Sequence, residues 1–202
     1  MKIIEDKRAP NPRRVRIFLA EKNIEVACEQ LDIMREEHHS DAIKSLNPMQ
    51  RIPILVLDDG EVISESIAIC RYFEALHPTP ALMGSTPLEI ARIEMWQRRV
   101  ELLLLQSIAH VLRHTNEAMA ALEHPQVPEW GEVNRPKVVN MLKFLNTDME
   151  TREFVAGDTY SVADITALVA IDFMRVIKLN LDGLENLQRW HASVSARPSA
   201  KA

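Results

Sequence analysis

Cysteine is scarce. Cys28 and Cys70 are the only two in 202 residues, too few for a disulfide framework. They lack the Cys-x-x-Cys spacing of a redox pair, and no histidine cluster stands near them at zinc-ligand spacing. A reducing, cytoplasmic setting is the expectation. Positive charge is not in excess either. Lys plus Arg number 24 against 29 Asp plus Glu, a net charge of −5. A chain-wide basic surface for nucleic acid is therefore not expected. Long apolar runs are missing. Lys2, Glu5, Asp6, Lys7, Arg8, Arg13, Arg14 and Arg16 leave no room near the start for a secretory apolar stretch. The most apolar segment, residues 162–177, is interrupted by Asp164, Asp172 and Arg175. It is too short and too charged to span a bilayer, and it reads as a helix buried inside the protein. No internal repeat or low-complexity block is present. With 47% hydrophobic and 26% charged residues, the chain is neither disordered nor collagen-like. No membrane partner is expected.

What is present changes character near residue 78. Residues 2–5 form a short strand pattern. Residues 12–22, with Val15, Ile17, Phe18 and Leu19, predict a helix ending near Asn23. Residues 26–31 read as a second strand and residues 41–46 as a short helix stopped by Asn47-Pro48. Residues 54–57 are an apolar run suited to a buried strand. Asp58-Asp59-Gly60 is a turn, and residues 61–63 return as its hairpin partner. Residues 66–76 predict a helix. The order is β-α-β-α-β-β-α. A proline-rich linker follows at residues 78–87. Beyond it the pattern is helical. Ile90, Ile93, Trp96, Val100, Leu103, Leu104, Ser107 and Val111 recur at three- and four-residue steps, in a helix that can reach Leu122. Further helices are predicted near residues 132–149, 161–177 and 184–195. The expected organisation is an α/β domain over 1–77, a linker over 78–87 and an all-α domain over 88–202. Cys28 on a strand and Cys70 on a helix are expected to be buried, structural thiols.

The β-α-β-α-β-β-α order resembles the thioredoxin-like N-terminal domain of cytosolic glutathione transferases, and the helical remainder is similar to their all-α C-terminal domain. The resemblance covers essentially the whole chain and lies nearest the theta-like and bacterial nu-like members. Asn47-Pro48-Met49-Gln50-Arg51-Ile52-Pro53 looks like the family's Asn-Pro-x-x-basic-aliphatic-Pro stretch, and Glu65-Ser66 like its acidic-Ser pair, 12 residues after that proline. Ser161-Val162-Ala163-Asp164 resembles the family's helix-capping motif; its Ser-x-x-Asp spacing makes a folding element rather than a catalytic one.

The resemblance implies a glutathione-binding site, with glutathione as substrate and no metal. Pro53 is cis in the family, which leaves the N–H and C=O of Ile52 to pair with an extended peptide such as glutathione. Ser66 at a helix N-terminus is suited to a carboxylate, and Glu65 to the neighbouring ammonium of the γ-glutamyl group. Taken alone, Ser64 or Ser66 is simply a helix cap. His38 and Arg51 are candidates for the glycine carboxylate, although a surface histidine beside His39 is ordinarily just solvated.

At the catalytic position the chain departs from the family pattern. Ala9 stands where theta-like members place a serine hydroxyl, and residues 1–23 contain no Ser, Thr, Tyr or Cys. Asn11 remains as the candidate catalytic residue, because Ala9-Pro10-Asn11 resembles the Thr-Pro-Asn of nu-like members. Its amide and backbone N–H can both donate. The competing role for Asn11 is to cap a helix beginning at Pro12. Arg13 and Arg14 can add positive potential, although one of them is expected to snorkel on the surface.

The implied function is a cytoplasmic, homodimeric detoxification enzyme whose glutathione thiolate attacks a small hydrophobic co-substrate. His110 and Arg113 are among the candidates to read that electrophile. Trp96, Glu101 and Gln106 lie on the long helix that forms the family's dimer face. A glutathione-dependent disulfide reductase or peroxidase of nu-like type, and a non-enzymatic module that keeps the fold, are the alternatives.

Overall fold

In the computed structural model, which describes residues 1–202, the β-branched segments take the centre of one sheet. Strands β1 (Lys2–Glu5), β2 (Ala27–Gln30), β3 (Ile54–Val56) and β4 (Val62–Ser64) lie in the order β2-β1-β3-β4. β2 is parallel to β1, and β3 is antiparallel to both β1 and β4. Ile3, Ile4, Ile54 and Leu55 are at most 2% exposed, as expected of central strands covered on both faces. All four residues of β2 are exposed, so Glu29 and Gln30 sit on an edge. Cys28 lies there too and is exposed. The expectation of a buried thiol fails because β2 pairs on one side only.

Side chains alternate along a strand. Ile4 and Ile54 share a face and pack with Ile43 of α2 (Asp41–Leu46). Ile3 and Leu55 turn to the opposite face. The helices with apolar stripes to cover it are α1 (Pro10–Glu21) and α3 (Ser66–Leu76), which pack on one another. Ile17, Phe18, Ile69, Cys70 and Phe73 are all buried. Burial pushes the Cys70 thiol up to about 12, so it stays protonated. Lys22 ties the two helix ends together. Its buried ammonium donates to the carbonyls of His77 (2.6 Å) and Pro80 (2.7 Å) and pairs with Glu74 at 2.7 Å. A buried charge requires such complete pairing.

The chain divides into two compact units, Met1–Ala81 and Leu82–Lys201. The second is helical. Its first helix, α4 (Pro87–Arg99), starts with a capping box: Thr86 Oγ1 accepts the Glu89 N–H, and the Glu89 carboxylate accepts the Thr86 N–H at 3.1 Å. A π-helical segment, Val100–Leu105, joins it to α5 (Gln106–Thr115). The extra residue of a π turn rotates the buried face. Val100, Leu104, Leu105 and Ile108 are buried as a result, while Leu103, expected on the same stripe, is 52% exposed. The helix stops at Thr115 rather than reaching Leu122. The Asn116 side chain accepts the Ala118 N–H, and a short 3₁₀ turn, Glu117–Met119, follows; local bonding of this kind competes with helix continuation.

Helices α6 (Pro128–Asp148), α7 (Val162–Phe173) and α8 (Glu185–Ser195) complete the unit. α6 begins four residues before the expected start, because Pro128 suits a first helical turn. Residues 162–171 are all buried, as the apolar pattern predicts. Asp164 anchors α7. Its carboxylate accepts from the Val155 N–H (2.8 Å), the Ser161 N–H and hydroxyl (both 3.0 Å) and the Trp190 indole (3.0 Å). Burial pushes its pKa up to about 6 against these donors, which still leaves it ionised at neutral pH.

Asp164→Ala orphans donors from the segment before α7, from its cap and from α8. At about 1–3 kcal/mol per buried unsatisfied group, the loss is expected to reach at least ~3 kcal/mol. For a chain of this length that is a fall of about 6–12 °C in Tm, read by circular-dichroism melting. A fall below ~2 °C would show that these donors find other partners.

Candidate functional site

Strand pairing brings separate segments of the first unit together. Ile54 of β3 is matched with Ser64 of β4 and with Ile4 of β1. Ile52–Pro53, directly before β3, and Glu65–Ser66, directly after β4, therefore come to the same end of the hairpin. β1 ends at the same edge of the sheet, and the chain turns there into the N-terminus of α1.

The Ile52–Pro53 bond is cis, as the resemblance implies. The backbone N–H and C=O of Ile52 enter none of the chain's own hydrogen bonds, while its side chain packs on Ile4, Ile43 and Ile54. A free donor and acceptor beside a strand end is an arrangement that accepts an extended peptide. Opposite, Glu65 has φ 71° and ψ 117°, outside the regions that side-chain-bearing residues ordinarily occupy. That turn exposes Glu65 and sets Ser66, 3% exposed, as the first residue of α3. The N–H groups of a first turn have no intrahelical partner and attract anions.

Asn11 is not the cap of a helix beginning at Pro12. α1 begins at Pro10, its N-cap is Ala9, and Asn11 lies inside the first turn. The fixed φ of proline suits both Pro10 and Pro12, and the Ala9 N–H donates to the Asp6 carbonyl at 2.9 Å to close the entry turn. Neither proline has an N–H, and the Arg13 N–H already bonds the Ala9 carbonyl. The Asn11 N–H is therefore the unpaired backbone donor of this turn. Its exposed side chain accepts from Arg14 Nη2 at 2.8 Å.

His38 departs from the expectation of a solvated side chain. It is 4% exposed, and its ring centroid is 3.9 Å from that of His39. Arg51 is exposed. The loop that carries it is shaped by buried Asn47, whose Nδ2 donates to the Arg51 carbonyl (2.8 Å) and whose Oδ1 accepts the Met49 N–H (3.1 Å). Gln50 ties this loop to His39 through its side chain.

Sequence reasoning passed over the groups beneath the site. Asp6 is buried at the end of β1 and accepts from the Arg8 backbone (2.9 Å), from Arg8 Nε (3.0 Å) and Nη2 (2.6 Å), and from the Ile33 N–H (3.2 Å). Arg8 Nη2 also reaches Asp32 at 2.7 Å, which clamps the entry of α1 to the loop after β2. An acidic residue directly after a strand and a basic one two residues later was the available signal.

Residues 9–76 match the family model of the glutathione S-transferase N-terminal domain, and residues 111–198 match that of the glutathione S-transferase C-terminal domain. The chain is 36% identical over 205 residues to glutathione S-transferase 2 of Saccharomyces cerevisiae, an alignment covering 100% of this chain and 88% of that one. A crystal structure of Gtt2 from Saccharomyces cerevisiae matches it with a TM-score of 0.95 at 36% identity, over 100% of this chain and 99% of that one. A class Gtt2 glutathione S-transferase of Vibrio parahaemolyticus matches with a TM-score of 0.88 at 33% identity, over 100% and 96%.

The Arg8 guanidinium holds the Asp6 carboxyl below its ordinary 3.8. A carboxyl with a depressed folded pKa contributes stability that is present above the unfolded pKa and lost as pH falls through the folded value. Asp6→Asn is therefore expected to lower the urea midpoint at pH 7 and to flatten its decline below about pH 4. Parallel acid limbs in the two proteins would remove Asp6 from this role.

Proposed function

The chain belongs to the glutathione S-transferase family and is an enzyme of that family, and we propose that it binds glutathione along Ile52–Pro53 and Glu65–Ser66 and holds the thiolate at Asn11. The observation that carries this reading is the β3–β4 pairing, which brings the unpaired backbone of Ile52, just before β3, to the end of the sheet where α3 begins. Glutathione pairs with the Ile52 N–H and C=O as a short added strand. Ser66 takes the γ-glutamyl carboxylate through its hydroxyl and N–H, and Glu65 pairs with the adjacent ammonium. Arg51 and His38 take the glycine carboxylate.

A free thiol has a pKa of roughly 8.5. Bringing it about two units lower takes roughly 2.7 kcal/mol of preference for the thiolate. Ala9 supplies no hydroxyl, and the Cys70 thiol is buried and protonated. The donors that remain are the Asn11 N–H and carboxamide at the positive end of α1, a set suited to a thiolate. On binding, the thiol releases its proton to solvent. The sulfur lone pair then forms a C–S bond to the electrophilic carbon, and the bond to the leaving group breaks with its electron pair. The co-substrate in this reading is a small hydrophobic electrophile, and the chain acts as a cytoplasmic homodimer in detoxification. No helix is long and apolar enough to cross a membrane.

Ser66→Ala is expected to weaken glutathione binding by about 1–3 kcal/mol, the cost typical of a bond to a charged group, measured by titration calorimetry. Unchanged affinity would sink the binding geometry. Asn11→Ala is expected to lower kcat more than it raises KM; loss of thermal stability alone would remove Asn11 from the chemistry. The wild-type protein is expected to bind glutathione more tightly than glutathione disulfide. The reverse order would move the assignment to disulfide reduction.

A further inference from the structure

The contact between Arg14 and Asn11 carries an inference about how the thiolate donor is aimed. The two residues are three apart on α1 and so share a face. Arg14 is 3% exposed, and its Nη2 donates to Asn11 Oδ1 at 2.8 Å. A guanidinium has five donors and no acceptor. It can therefore meet the Asn11 carboxamide only at oxygen, and the amide's NH₂ is turned to the opposite side. A solvent-exposed carboxamide without such a partner can present either end. If Asn11 presented its oxygen to a thiolate, two acceptors would face each other and the charged form would be disfavoured. The prolines on either side sharpen the need. Pro10 and Pro12 contribute no N–H, so the Asn11 N–H is the one unpaired backbone donor here and the Asn11 carboxamide is the neutral donor beside it.

We propose that Arg14 is a positioning residue for the thiolate: from inside the domain it holds the Asn11 oxygen and so points the Asn11 NH₂ at the glutathione sulfur. The proposal rests on the reading that Asn11 meets the thiol. The bond is charge-assisted, which also polarises the amide and makes its N–H groups better donors. A buried guanidinium held in packed surroundings keeps this orientation before any ligand arrives.

The test is the pKa of the thiol of bound glutathione, followed by ultraviolet thiolate absorbance against pH. It is measured in the full-length protein and in Asn11→Ala, Asn11→Asp, Arg14→Met, Arg14→Lys and the Asn11→Ala/Arg14→Met double variant. Asn11→Ala is expected to raise the thiol pKa by about one unit or more. Arg14→Met is expected to raise it by at least roughly half a unit, and to add nothing in the Asn11→Ala background. Arg14→Lys keeps the charge but loses the fork, and is expected to resemble Arg14→Met. Asn11→Asp needs no change in the core. It keeps an acceptor for Arg14 but replaces the outward NH₂ by a second oxygen, so its thiol pKa is expected to lie above that of Asn11→Ala while the fold stays intact.

Equal shifts from Arg14→Met with and without Asn11 would overturn the proposal, because Arg14 would then act through its own charge. A wild-type thiol pKa in Arg14→Lys would overturn it for the same reason. Should Arg14→Met fail to fold, Arg14→Lys and Asn11→Asp decide. If Asn11→Ala leaves the thiol pKa unchanged, the thiolate assignment itself fails. That result is distinct from one in which Asn11 matters and Arg14 does not.

Discussion

Strand β3 pairs antiparallel with both of its neighbours, and the placing of Pro53, Ser66 and the start of α1 follows from that pairing. Matching Ile54 to Ser64 brings Ile52–Pro53 and Glu65–Ser66 to the same end of the sheet. Matching Ile54 to Ile4 places the exit of β1, and so the start of α1, at the same edge. A one-residue slip of β3 would carry Ile54 off the buried face it shares with Ile4 and Ile43 and would shift Ile52–Pro53 along β4. The hydrophobic packing that fixes the register therefore also fixes the site. Stability and function draw on the same side chains at this point, and neither is adjustable alone.

Around this edge the loops are held by polar groups rather than by apolar packing. Asp6 and Asp32 share Arg8, Asn47 binds both flanks of its own turn, and Arg14 holds Asn11. The first two hold loops that flank regular elements, and the third lies within the first turns of α1. Loops have unpaired backbone groups and little apolar surface, so directed hydrogen bonds are the means available to define their shape. The result is a rigid frame beneath side chains that remain open to solvent, such as Asn11, Arg51 and Glu65.

The helical unit shows a different balance. α7 is buried from Val162 to Ile171, and within that stretch a buried carboxylate, Asp164, connects it to its surroundings, while Asp172 near its end pairs with His191 of α8. Four donors meet the Asp164 carboxylate, and their convergence offsets the cost of placing a charge there. The π-helical segment between α4 and α5 acts on packing instead. By inserting a residue it changes which leucines of residues 102–105 are buried.

Much of this was legible from the amino-acid sequence alone. Strand and helix order, the hairpin at Asp58-Asp59-Gly60, the buried helix after Ser161 and the motifs around Pro53 and Glu65-Ser66 depend on neighbours within a few residues, and local spacing reports such neighbours directly. Other features were decided by partners far away in the chain. Cys28 is exposed because β2 has a neighbour on one side only, which a strand's own residues do not reveal. His38 is buried beside His39, which the loop of residues 47–53 reaches through Gln50, a contact that its own neighbours in sequence do not reveal. α1 begins at Pro10 because Ala9 bonds back to Asp6, so Asn11 became a side chain held by Arg14 instead of a cap. Sequence determined which elements form, because propensity and periodicity are local. Tertiary structure decided where each exposed polar group points, because that depends on hydrogen-bond partners the chain brings together only when it folds.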